Sequence, residues 1–214
     1  MRKHLAILCV FIVLPILLAF NTPPPKHEAI IGKALIIDDF EDSNYDKDPS
    51  WWQFGALSLD AGKKALALQG VAGDYYVGGL GVYIASEDRD FSSFNFLEMD
   101  VFGGGPDSGT IKIELYEDDN NNWQIEQDPK KSYAPIYDDR IAAEVPVTWV
   151  GWKHVRISLA EFKDTNPGTG DDAWNPGKDD LSGGLLQMQM IVVASSKTGK
   201  VDMVIDNVAF TGKE

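Results

Sequence analysis

Cysteine is almost missing from this 214-residue chain: the single thiol, Cys9, sits inside an apolar run near the N-terminus. Beyond that run there is none, so no intramolecular disulfide can staple the rest, and burial or a bound metal must hold it. Histidine is scarce too. After His4 only His27 and His154 occur, too few for a histidine-rich metal centre. Basic residues are outnumbered, with 19 Lys and Arg against 33 Asp and Glu, for a formal net charge of -14. Without Arg2 and Lys3 of the N-terminal segment the balance is more acidic still. Such a surface repels phosphates and argues against nucleic acid as a partner. It suits neutral ligands such as sugars, and cations. No nucleophile elbow, phosphate loop or zinc-ligand cluster is present, and helical periodicity is nearly absent.

Long hydrophobic runs are confined to the start. Met1-Arg2-Lys3-His4 precedes an apolar stretch from Leu5 to Phe20, of about 16 residues. That length lies between the core of an export signal and a spanning helix of ~20 residues. Residues 1–21 therefore read as a signal peptide cleaved after Ala19, or as an uncleaved anchor, since Leu17 is large for the -3 position. Either way the chain is expected to be exported, to the periplasm, the cell surface or the medium. A membrane enters only through this segment. Pro23-Pro24-Pro25 makes residues 22–33 a stiff linker, and residues 34–214 a single domain.

Within that domain 44% hydrophobic and 11% aromatic content over the whole chain is ample for a core. Short strands separated by turns dominate. Thr110 to Glu117 alternates most cleanly, Ile111, Ile113 and Leu115 inward against Lys112, Glu114 and Tyr116 outward. Leu66 and Leu68 share a face, as do Val155, Ile157 and Leu159. Trp51 and Trp52 are adjacent, so on a strand one points inward and the other outward. Asp118 to Asn122 reads as a solvated turn, because it lacks the Gly and distal Glu of an EF-hand loop, and Trp123 to Ile125 as a resumed strand. Lys163 to Gly184 is a polar loop of about 20 residues, longer than ordinary connections and expected to be functional or mobile. Trp174 within it is either a lid over a cleft or a local anchor. The pattern predicts an all-β antiparallel β-sandwich or barrel; pairing chain ends make a jelly roll the natural choice.

The ends carry acids. Asp38, Asp39 and Glu41 interrupt the opening strand, Ile36 to Glu41, and Asp206 interrupts the closing one, Met203 to Phe210. If these strands are neighbours, the acids converge, and oxygen-only ligands suit calcium. The plain alternative is that they face solvent at strand ends.

Several pieces occur together in order: Leu-Ile-Ile-Asp-Asp-Phe-Glu (35–41), Trp51-Trp52, Gly-Asp-Tyr-Tyr (73–76), Asp-Phe-Ser-Ser-Phe (90–94), Gly-Trp-Lys-His-Val-Arg-Ile (151–157) and Val-Ile-Asp-Asn-Val (204–208). In this the chain resembles jelly-roll carbohydrate-binding modules of the galactose-binding-like superfamily, most closely those of family 11, from about Leu35 to Phe210. The resemblance implies a structural calcium at Asp39, Glu41 and Asp206, with Asp38 a further candidate. It also implies a glycan, of β-glucan type, held through stacking on Trp52 or Phe54, Tyr75 or Tyr76, and Trp174. An aromatic residue that the family places in the penultimate strand is replaced here by Val193. Glu98, Glu114 and Glu126 lack any spacing that would specify a hydrolytic acid pair, so the expectation is a non-catalytic binder of polysaccharide or oligosaccharide. The alternative is an envelope structural or interaction protein on the same fold, without a sugar site.

Overall fold

Alternating apolar residues need a second layer to cover them, and here two six-stranded antiparallel sheets cover each other. The computed structural model describes residues 33–131, 133–178 and 182–212. The leader expected over 1–21 and the linker up to residue 32 lie outside them. The first sheet runs β11 (Val150–Ser158), β6 (Phe96–Gly104), β14 (Lys200–Thr211), β4 (Leu66–Val71) and β3 (Ser58–Asp60), with β1 (Ala34–Asp38) also paired to β14. The second runs β12 (Lys163–Asp164), β10 (Arg140–Val147), β7 (Gly109–Asp118), β13 (Gly184–Val193), β5 (Tyr76–Tyr83) and β2 (Trp52–Gly55). A two-residue pair, β8 (Gln127–Asp128) with β9 (Ala134–Pro135), stands apart. The architecture is the expected all-β sandwich of jelly-roll type.

Both sheets fill the space between them with their inward-facing residues. Leu66, Leu68, Leu97, Met99, Val101, Met203 and Ile205 come from the first sheet. Ile111, Ile113, Leu115, Met188, Met190, Leu80 and Val82 come from the second. Each is buried, and burying such a side chain contributes roughly 1.5–3 kcal/mol. Phe91, Phe94 and Phe210 close one end, with ring centroids 4.7 and 5.1 Å apart.

The chain ends are neighbours, as the sequence predicts: Leu35 lies opposite Phe210 and Asp38 opposite Val208. Irregularities at 36–38 in β1 and 206–209 in β14 break the regular ladder there. Trp51 turns inward and Trp52 stays half-exposed. The buried Trp51 Nε1–H donates to Asp38 Oδ2 at 2.8 Å, and the Phe40 amide donates to Asp38 Oδ1 at 2.7 Å. Asp38 is thereby a structural acceptor. The strand expected at Trp123 to Ile125 does not form; Trp123 has φ +63° and its amide turns back to Asp118 Oδ2 at 2.8 Å.

Candidate functional site: a sheet face and an acidic rim

The register of the second sheet lines residues up in rows across its outer face. One row reads Trp52, Gly81, Gln189, Glu114, Ala142, Lys163. A second reads Phe54, Gly79, Ile191, Lys112, Glu144. A third reads Tyr83, Gln187, Tyr116, Arg140. Because Leu80, Val82, Ile113, Leu115, Met188 and Met190 face the core, these rows face away from it.

On the β2–β5 side the face is aromatic. Trp52 stands 5.6 Å from Phe54 and 6.1 Å from Tyr83 between ring centroids, so three rings form a run. Tyr83 is 64% exposed. The rings lie directly on glycine. A Cβ on Gly81 would sit 2.3 Å from Trp52 Cζ2, and one on Gly79 2.3 Å from Phe54 Cζ. The Gly-rich sequence of β5 therefore makes room for rings from the neighbouring strand. Trp52 Nε1 has no acceptor among the described residues.

Toward β7, β10 and β13 the same face turns polar. Glu114 faces out yet is buried, beneath Lys112, Gln189 and Arg140. Lys112 Nζ donates to its Oε1 at 2.6 Å, Tyr116 O–H donates to its Oε2 at 2.9 Å, and the Gln189 amide donates to both Oε2 and the Tyr116 oxygen. Burial alone would raise the Glu114 pKa. The Lys112 hydrogen bond, the Arg140 charge and the Gln189 bond outweigh it and hold the carboxyl below its ordinary value. Burial, with the Glu114 charge beside it, pushes the Tyr116 hydroxyl up, so it stays protonated. Arg140 Nε donates to Thr165 Oγ1 at 2.8 Å, which aims the guanidinium along the face. Flat rings beside fixed hydroxyl, amide and guanidinium groups can bind a ligand with one apolar face and a polar periphery.

The second concentration of chemistry lies at the rim where β7 ends and β10 begins. Asp119, Asp139 and Asp171 each place an oxygen within 4.8 Å of the others. Among the described residues this is the one group of three such side chains gathered so closely. Glu117, Asp118 and Asp138 are buried beside them. Burial pushes the Glu117 carboxyl up to about 9, with Asp119 adding repulsion. Burial likewise raises Asp138 to about 7, helped by Asp118, and Asp139 to about 7, helped by Asp119. Asp118 to Asn122 is the expected turn, solvated at Asn120 and Asn122, but Asp118 is buried and Asp119 half-buried. The loop over residues 165–178 packs against this rim: its Asn175 amide donates to Glu117 Oε1 at 3.0 Å and its Ala173 amide donates to Asp139 Oδ2 at 3.1 Å.

The residues singled out from the sequence fall in separate places. Trp52 and Phe54 share the sheet face. Tyr76 opens β5, its hydroxyl beside Gly55, and Tyr75 precedes it with φ +73°. Both tyrosines are partly exposed. Trp174 is half-buried: it packs against the core on one side and on the other lines a cavity of about 540 Å³ with Phe91, Phe94, Phe96 and Leu159. Asp39 and Glu41 are exposed, and Glu41 is engaged by Lys64 at 2.8 Å. Asp206 is buried, and burial pushes its carboxyl up to about 7, with Asp100, Glu41 and Asp39 adding repulsion. These three do not gather oxygens as Asp119, Asp139 and Asp171 do.

Tyr83, Gln187, Gln189, Tyr116 and Arg140 escaped the sequence reading. Their signal is polar or aromatic residues at alternate positions of otherwise apolar strands.

No family model matches the sequence, and no curated protein matches it. Solved structures do. A family 11 carbohydrate-binding module from Clostridium thermocellum, in complex with a β-1,3-1,4-mixed-linked tetrasaccharide, aligns with TM-score 0.51 and 18% identity over 84% of this chain and 95% of that one. The family 11 module of the cellulosomal cellulase Lic26A-Cel5E from the same organism aligns with TM-score 0.50 and 17% identity, over 85% and 96%. A family 30 module of a Clostridium thermocellum cellulosomal cellulase aligns with TM-score 0.48 and 15% identity, over 84% and 99%. The chain has the jelly-roll fold that family 11 carbohydrate-binding modules have.

Proposed function

We propose that this protein is a non-catalytic carbohydrate-binding module that holds a neutral β-glucan-like chain on the outer face of its second sheet. One observation carries the reading: the run Phe54–Trp52–Tyr83, seated on Gly79 and Gly81, adjoins the polar group Glu114, Tyr116, Gln189 and Arg140 on one continuous face. Sugar C–H faces stack on the rings, while Arg140 and the Tyr83 hydroxyl reach ring oxygens and hydroxyls. The similarity to a module solved with a mixed-linked tetrasaccharide supports the same class of ligand. Export, through the basic and apolar N-terminal segment, would bring the domain to such polymers. A calcium at Asp39, Glu41 and Asp206 would require Glu41 to leave Lys64.

The test is calorimetry of the purified protein against soluble mixed-linked β-glucan and xylan, with Trp52→Ala as the variant. Binding by the parent and at least a ten-fold loss in the variant support the proposal. A second reading, an envelope interaction protein without a sugar site, is favoured by one fact: Glu114, Tyr116 and Gln189 already bond one another. If no glycan binds the folded parent, that reading takes over.

A further inference from the structure

We propose that Asp119, Asp139 and Asp171 form a calcium site that fastens the loop over residues 165–178 to the ends of β7 and β10. Asp139 is only 2% exposed, and its Oδ1 accepts no hydrogen bond among the described residues; neither does the buried Asp119 Oδ1. Both carboxylates point at one spot beside Gly170. A Cβ there would lie 2.3 Å from Asp119 Oδ2 and 2.4 Å from Asp139 Oδ1. Asp171 comes from the loop itself, with its oxygens oriented by the Ala173 amide at 2.9 Å and the Asn175 side-chain amide at 2.8 Å. Like charges set side by side, with two buried oxygens that no donor meets, are costly, and a cation among them satisfies those oxygens while removing the repulsion. The donors are all oxygen, which selects a hard cation. They come from two strand ends and an irregular loop, a geometry that calcium tolerates and magnesium, with its strict octahedron, does not.

The ion would lock the loop where it is already strapped. Asn166 Nδ2 donates to the Asp138 carbonyl at 2.8 Å and Asn166 Oδ1 accepts from the Arg140 amide at 2.7 Å. Arg140 lies on the sheet face, so the loop's order reaches the cleft through it. The site itself does not depend on what that cleft binds.

The experiment titrates the chelator-treated protein with calcium chloride alone, by calorimetry and by thermal melting. A saturable site with one ion per chain and a rise of several degrees in Tm is expected. Asp139→Asn abolishes the response. Asp171→Asn, at an exposed position that spares folding, weakens calcium at least ten-fold, because affinity follows ligand charge. Asp206→Asn leaves the response at the parent level. Magnesium chloride at equal concentration gives a smaller shift. An unresponsive parent overturns the proposal and means that shared protons hold the acids. Retention in both Asp139→Asn and Asp171→Asn, with loss in Asp206→Asn, moves the ion to the chain ends and also overturns it. A larger shift with magnesium overturns the choice of calcium.

Discussion

Gly81→Ala should damage ligand binding far more than it damages the fold. The added methyl would lie 2.3 Å from Trp52 Cζ2 and 2.6 Å from Cη2. Carbon atoms rest at about 3.5 Å or more, so the ring must rise by roughly 1.2 Å. The backbone of Trp52 is held opposite Gly81 by strand pairing, which leaves side-chain rotation as the way out. Rotation takes the ring out of line with Phe54 and Tyr83. Loss of one stacking ring costs about 1–3 kcal/mol, or about 5- to 150-fold in Kd. The fold loses less. Overpacking costs about 1–3 kcal/mol in a closed core, but Trp52 is half-exposed and can yield. Replacing a strand glycine returns about 0.5–1 kcal/mol, and Gly81 does not have the positive φ that would make alanine strained. Calorimetry on the β-glucan that the parent binds, beside a thermal melt, separates the two effects. Gly73→Ala is the control, since a Cβ there meets nothing within 4 Å. Parent affinity in Gly81→Ala would refute the stacking platform, as would loss of binding only in step with unfolding.

Other outcomes follow from the packing and the charges. Trp174→Ala should lower stability by about 1–3 kcal/mol and leave glycan affinity alone, as an anchor and not a lid; a binding loss at constant Tm would reverse that. Trp51→Phe should cost about 1–3 kcal/mol in a denaturant melt, because Asp38 Oδ2 loses its buried donor. Followed by NMR between about pH 5 and 9, the Glu114 carboxyl and the Tyr116 hydroxyl should not titrate, because Glu114 titrates below that window and Tyr116 above it; an inflection of either inside it would contradict the network. Asp206 keeps its proton in the folded chain up to about pH 7, while the unfolded chain loses it near pH 4. The folded state thus binds more protons between these values, and stability falls as pH rises through them. Asp206→Asn removes that loss, so with chelator present its Tm advantage over the parent should be larger at about pH 8 than at about pH 5.

The sequence alone determined the sandwich, since a period of two is a local property: Ile111, Ile113 and Leu115 must face one way whatever stands beside them. It also determined that of Trp51 and Trp52 one goes in. Tertiary structure decided what the outward residues do. Glu114 and Tyr116 alternate outward and yet are buried, because β13 and β10 bring Gln189 and Arg140 over them. Tyr83 joins Trp52 only through the register of β5 with β2, and Gly79 and Gly81 matter only because rings from another strand rest on them. Asp119, Asp139 and Asp171 come from a strand end, the start of another strand and a loop, so no spacing in the chain could announce their meeting. Side-chain direction along a strand is set by the backbone of that strand. Which strand lies next to it, and at what offset, is set by the packing of the whole core.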